Sequence, residues 1–96
     1  MDIKIDVGFL EHPKTLRLLK RHGYGAITAL LTLWTWCANY RPDGDLSGLN
    51  DEDINAVSRW KGDLSFAASL FAIGFLDKDE NGSYSLHNWK EHQGIE

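Results

Sequence analysis

The chain has 96 residues, 43% of them hydrophobic, with four Trp, four Phe and three Tyr. That is enough for one domain whose core needs no metal or disulfide staple. Fourteen Asp/Glu against ten Lys/Arg leave a net charge of −4, which argues against a simple basic nucleic-acid module.

The charge is uneven, at +3 through Arg41 and −7 from Pro42 onward. The opening MDIKIDVGFL lacks the charged-then-apolar order of a signal peptide. The single Cys37 has no partner for an internal bridge and reads as a small buried hydrophobe in a reducing compartment. Cytoplasmic residence is the expectation.

Ile3, Ile5 and Val7 alternate with Asp2, Lys4 and Asp6, the period-2 pattern of a short strand or extended arm. Pro13 suits a first helical position and Gly23 the residue past a helix end, so a helix is predicted over Pro13 to His22. Leu16 and Leu19 are expected on its inner side, with Lys14, Arg17, Lys20 and Arg21 on another.

Tyr24 to Tyr40 is the longest apolar segment and predicts a central helix. Ile27, Leu30, Leu31, Trp34, Cys37 and Ala38 make one stripe, and Ala29, Leu33, Trp36 and Tyr40 a second. Only Thr28, Thr32, Thr35 and Asn39 remain for water, so neighbours must cover the helix on several sides. It is too short and too rich in threonine for a membrane span of ~20 apolar residues, and no membrane partner is expected.

Arg41-Pro42-Asp43-Gly44 stops that helix, and Asp45-Leu46-Ser47 has room for a short strand. Asn50 is placed to cap a third helix ending near Arg59, with Ile54, Val57 and Trp60 as its buried edge. Asp63 can cap a fourth, Leu64 to Ile73, closed by Gly74. Phe75 to Lys78, the turn Asn81-Gly82 and Ser83 to Trp89 form a hairpin, followed by a polar tail or last helical turn.

The expected fold class is mainly α with a small β-hairpin, in the element order of a winged helix-turn-helix. At residue level the chain resembles the N-terminal winged-helix domain of phage and prophage replication proteins, the replisome-organiser or DnaD-like group. The resemblance rests on His12-Pro13-Lys14, Leu33-Trp34, Asp43-Gly44-Asp45-Leu46, Gly74-Phe75-Leu76-Asp77 and Leu86-His87-Asn88-Trp89. It spans about Phe9 to Gln93. It implies a single winged-helix domain over residues 1–96, forming the N-terminal part of a longer replication protein whose other domains contact DNA, a helicase or a loader.

Leu64 to Ile73, in the recognition-helix slot, contains no Arg, Lys, Asn or Gln, the usual readers of base edges. The expected wing carries Asp77, Asp79 and Glu80 around Lys78. DNA contact is therefore expected to be weak, sequence-independent and phosphate-directed, through Lys14, Arg17, Lys20, Arg21, Arg59 and Lys61. The alternative function is self-association, or recruitment of a replication protein, through the stripe Ala29, Leu33, Trp36 and Tyr40. That stripe is otherwise to be covered within one chain by Leu16, Leu19 and the N-terminal arm.

The four histidines and Cys37 show no catalytic or zinc-ligand spacing, and the glycines mark turns rather than a phosphate loop. No enzyme activity, metal or cofactor is expected.

Overall fold

The computed structural model describes residues 3–93. A 3-10 turn, Phe9–Glu11, precedes α1 (Pro13–His22), α2 (Tyr24–Tyr40), α3 (Asp51–Ser58), α4 (Ser65–Ile73), β1 (Leu76–Lys78), β2 (Tyr84–Leu86) and α5 (Trp89–Gln93). The architecture is mainly α with a C-terminal two-stranded antiparallel hairpin. Among the described residues no helix is long and apolar enough to cross a membrane.

Local signals set the helix ends. The Nδ1 of His12 accepts from the Lys14 amide at 3.1 Å, and Pro13 occupies the first position, where a missing N–H costs nothing. Asn50 and Asp53 form a reciprocal capping box at α3: Asn50 Oδ1 accepts from the Asp53 amide, and Asp53 Oδ2 from the Asn50 amide. Gly74 ends α4 at φ 106, a conformation that favours glycine.

Helix α2 organises the core, with α1 and α3 both packed on it. Leu30, Leu33 and Cys37 are fully buried, as are Leu18, Leu46, Ile54, Phe66 and Leu70 from the surrounding segments. Each such leucine or phenylalanine contributes about 1.5–3 kcal/mol on leaving water. The solvent side carries Thr28, Thr32 and Thr35, whose hydroxyls donate to the carbonyls of Tyr24, Thr28 and Leu31 one turn back.

The second stripe of α2 divides. Ala29 and Leu33 lie inside the core of the single chain, Trp36 is half-buried, and Tyr40 is 68% exposed. Leu16, expected on the inner side of α1, is instead 49% exposed. Thr15 and Leu18 are buried and Leu19 and His22 half-buried, a set at i, i+3, i+4 and i+7 from which Leu16 points about 100° away.

The hairpin pairs Leu76 with Leu86, Asp77 with Ser85 and Lys78 with Tyr84, and Gly82 takes φ 82 in its turn, as a tight turn at Asn81-Gly82 requires. Asp45 to Ser47 shrinks to a single bridge, Asp45 to Ser85, flanked by Leu46 N donating to Tyr84 O and Leu86 N to Gly44 O. Both edges of β2 are thereby taken.

The N-terminal arm forms no strand: Val7 is fully exposed and Ile5 largely so, while Ile3 packs against the core. Its backbone finds a side chain in place of a sheet edge. The Lys4 amide donates to Gln93 Oε1 at 2.7 Å, and Gln93 Nε2 donates to the Lys4 carbonyl at 3.0 Å.

Gly44 and Gly48 separate two costs. Both have positive φ, at 79 and 87, yet a Cβ on Gly44 would sit 2.8 Å from Trp89 while one on Gly48 would meet nothing within 4 Å. Gly48→Ala should cost about 1–2 kcal/mol of backbone strain. Gly44→Ala should cost that plus a further ~1–3 kcal/mol of overpacking. Equal losses in urea unfolding would contradict this packing of Trp89.

Candidate nucleic-acid interface

The exposed basic residues of α1 follow from its burial pattern. With Thr15, Leu18, Leu19 and His22 turned inward, Arg17, Lys20 and Arg21 fall together on the opposite, solvent face. Lys20, Arg21 and His22 also occupy the last turn, where cations are favoured by the helix dipole.

The turn between α3 and α4 is brought to the end of α1 by an aromatic stack. Trp60 stacks on Phe66 at 4.9 Å, and the His22 ring meets Trp60 edge-on at 5.4 Å. His22 Nε2 and Ser69 Oγ lie 2.9 Å apart, tying α1 to α4. Arg59 and Lys61, on either side of Trp60, are both exposed, and Arg59 also lines the groove between α2 and α3.

Arg59 adopts the left-handed conformation at φ 60, ending α3. The turn is held by Asn55 Nδ2 and Trp60 Nε1, both donating to the Asp63 carbonyl. A Cβ on Gly62 would meet the Trp60 indole at 2.5 Å, so the stack leaves room for glycine there.

Lys14 differs from the other candidates. Its Nζ donates to the Gly74 carbonyl at 3.0 Å and lies over the Phe75 ring, so it closes the end of α4 and is only partly exposed. Five of the six predicted basic residues, Arg17, Lys20, Arg21, Arg59 and Lys61, are freely exposed.

The other two surfaces are unsuited to phosphate or base contact. The exposed side of α4 consists of Ser65, Ala68, Phe71 and Ala72. On the hairpin the Lys78 ammonium folds back over Tyr84 and Phe71, at 5.1 and 5.9 Å from their ring centres. Asp79 holds the hairpin loop by accepting from the Asn81 and Ser83 amides, and Asp77 pairs with His87 at 2.9 Å.

Compared with protein-family models, curated proteins and solved structures, the chain has no significant match. Burial pushes the Cys37 thiol up to about 12, the reverse of what a nucleophile needs. The His22 ring of the Ser69–His22 pair packs edge-on against both Phe66 and Trp60, Ser69 itself is buried, and the pair works as a core tie. Burial raises the Tyr84 hydroxyl, with Asp51 beside it adding to the effect. Among the described residues no group of three His, Cys, Asp or Glu is placed to hold a metal ion.

Sequence reasoning missed the edge-on Trp60–His22 contact, which ties the α3–α4 turn to the end of α1. Trp60 could be placed on a buried edge, but no spacing rule pairs it with a histidine 38 positions earlier.

Two carboxylates are lowered by hydrogen bonds: Asp63 by the Ser65 hydroxyl first and then its amide, with His22 a minor contribution, and Asp45 by Ser47 in the same way. A depressed native value means the Asp63 contribution is full above the ordinary carboxylate range near 3.9 and is lost as pH falls through the lowered one. Asp63→Ala should therefore lower the urea midpoint at neutral pH, and the gap from wild type should close toward about pH 2. A gap independent of pH would remove the ionised Asp63 acceptor of the Ser65 hydrogen bonds from the account.

Proposed function

We propose that this chain is a non-catalytic winged-helix module that binds nucleic acid weakly and through phosphates, using Arg17, Lys20, Arg21, Arg59 and Lys61. The observation that carries the reading is the solvent-facing basic side of α1, Arg17, Lys20 and Arg21, together with the exposed Arg59 and Lys61 that flank Trp60, whose ring meets His22 in the last turn of α1. The order of helices followed by a hairpin, with the Asp45–Ser85 bridge beside it, supports a winged helix-turn-helix. The resemblance to phage-type replisome organisers supplies the setting, DNA replication in the cytoplasm.

Sequence selectivity has no support in this surface. The exposed side of α4 offers base edges no bidentate partner, and Asp79 and Glu80 on the hairpin loop repel phosphates. Affinity then depends on counterion release alone. Anisotropy titrations of labelled duplex DNA should give a log K against log salt slope of about −3 to −5 and no preference among sequences. Arg17→Glu with Arg21→Glu should abolish binding while leaving the fold intact, since both side chains face solvent. Binding that survives this double reversal, or that discriminates strongly between sequences, would defeat the assignment.

A second reading, self-association, draws on one specific feature. Trp36 and Tyr40 pack with tilted rings whose centres are 5.5 Å apart, and the Arg41 guanidinium lies 6.0 Å from the Trp36 ring. They adjoin a groove between α2 and α3 lined by Leu31, Trp36 and Val57. Sedimentation should show a dimer that Trp36→Glu converts to a folded monomer. A wild type monomeric at every concentration rejects this reading and leaves the first untouched.

A further inference from the structure

A cavity of about 290 Å³ opens between the start of α1, the α4–β1 junction and the β2–α5 turn, away from the exposed basic face of α1. Its apolar wall is aromatic. Phe9 and Trp34 lie 5.2 Å apart between ring centres, Trp34 and Phe75 6.3 Å, and Trp89 completes the lining. The volume is roughly twice the ~150 Å³ that admits benzene in an engineered apolar cavity, so a fused ring system fits.

The polar groups on the same wall are biased toward donors. Lys14 Nζ uses one N–H on the Gly74 carbonyl and has two left. His12 accepts through Nδ1 from the Lys14 amide, which puts the proton of the neutral ring on Nε2. The Trp89 N–H is already spent on the Pro42 carbonyl, so that ring offers only its apolar body. Asp6, the one acid among the lining residues, is engaged within the chain.

Thr15 is the anomaly. Its side chain is 2% exposed, lines this cavity, and its hydroxyl has no hydrogen-bond partner. A buried hydroxyl left so has lost what water supplied. Threonine in a helix has two accessible χ1 rotamers, and exchange between them turns hydroxyl or methyl toward the cavity.

We propose that this cavity binds a small aromatic carboxylate, its ring against Phe9, Trp34 and Phe75 and its carboxylate on Lys14 and Thr15. The aromatic wall selects the ring, and the donor excess selects an anionic acceptor over a neutral one. The site does not depend on the nucleic-acid reading, which uses none of these side chains.

The test titrates the full chain with 2-naphthoate and, separately, with the neutral 2-naphthalenemethanol, following backbone amides by NMR. The acid should give saturable shifts centred on Phe9, Lys14, Thr15 and Asn88 with a dissociation constant below about 1 mM, and the alcohol should bind at least ~10-fold more weakly. Lys14→Gln keeps a donor for Gly74 but no charge, and should bring the two ligands within about 2-fold of each other. Thr15→Val, nearly isosteric, should narrow the preference less, and serves if Lys14→Gln fails to fold. Acid and alcohol binding equally to wild type, shifts centred on Arg17 and Arg21, or no saturation by the acid would each overturn the proposal.

Discussion

Everything in this fold answers to a helix that cannot be left uncovered. Over 17 residues α2 offers water little beyond three threonines and an asparagine, so neighbours must enclose most of its circumference. The neighbours are short: α1, α3 and α4 run 10, 8 and 9 residues, lengths that are marginal in isolation. Their stability comes from the surface they cover, and α2 in turn is kept soluble by them. The cover thins on one face of the C-terminal turn of α2, where Trp36 is half-buried and Tyr40 exposed while Cys37 and Ala38 stay buried.

That mutual dependence also fixes the electrostatics. Turning Thr15, Leu18 and His22 toward the core leaves α1 no choice about where Arg17, Lys20 and Arg21 go. Two basic residues of the later half, Arg59 and Lys61, flank Trp60, whose ring packs on His22 at the end of α1. The acids of that half are largely occupied with structure: Asp53 in a capping box, Asp63 at the start of α4, Asp79 in the hairpin loop. The proposed phosphate-binding surface is thus a remainder, the part of the charge that folding does not use.

Most helix ends and the hairpin turn were legible in the sequence because they are local: Pro13 and Gly23, Asn50, Gly74 and Asn81-Gly82 each act within a few residues, whereas α4 begins at Ser65 with Leu64 and not Asp63 in the cap position. The inner side of α1 was misread because Leu16 outranks Thr15 in hydrophobicity, whereas the observed side is set by Leu18 and by the His22–Ser69 tie. The N-terminal arm alternates in sequence but found no free edge on β2, and Ile5 and Val7 are left exposed. Ala29 and Leu33 could not be told from Trp36 and Tyr40 by periodicity, since which end of a stripe is covered depends on where other helices stop. Lys14 looked equivalent to Arg17 in sequence, and its distinction lies in Gly74, 60 residues away.

The double hydrogen bond between Gln93 and the Lys4 backbone spans 89 positions. Chain entropy makes so long a closure unfavourable until the intervening segments are already folded, so it comes last in assembly and is first to open. Both partners are at the surface, and breaking the clasp exposes little apolar area. In hydrogen exchange the Lys4 amide would therefore report the opening of a latch, at a rate nearly insensitive to denaturant, while amides in α2 report unfolding of the whole. Two processes of different size would be readable in one molecule.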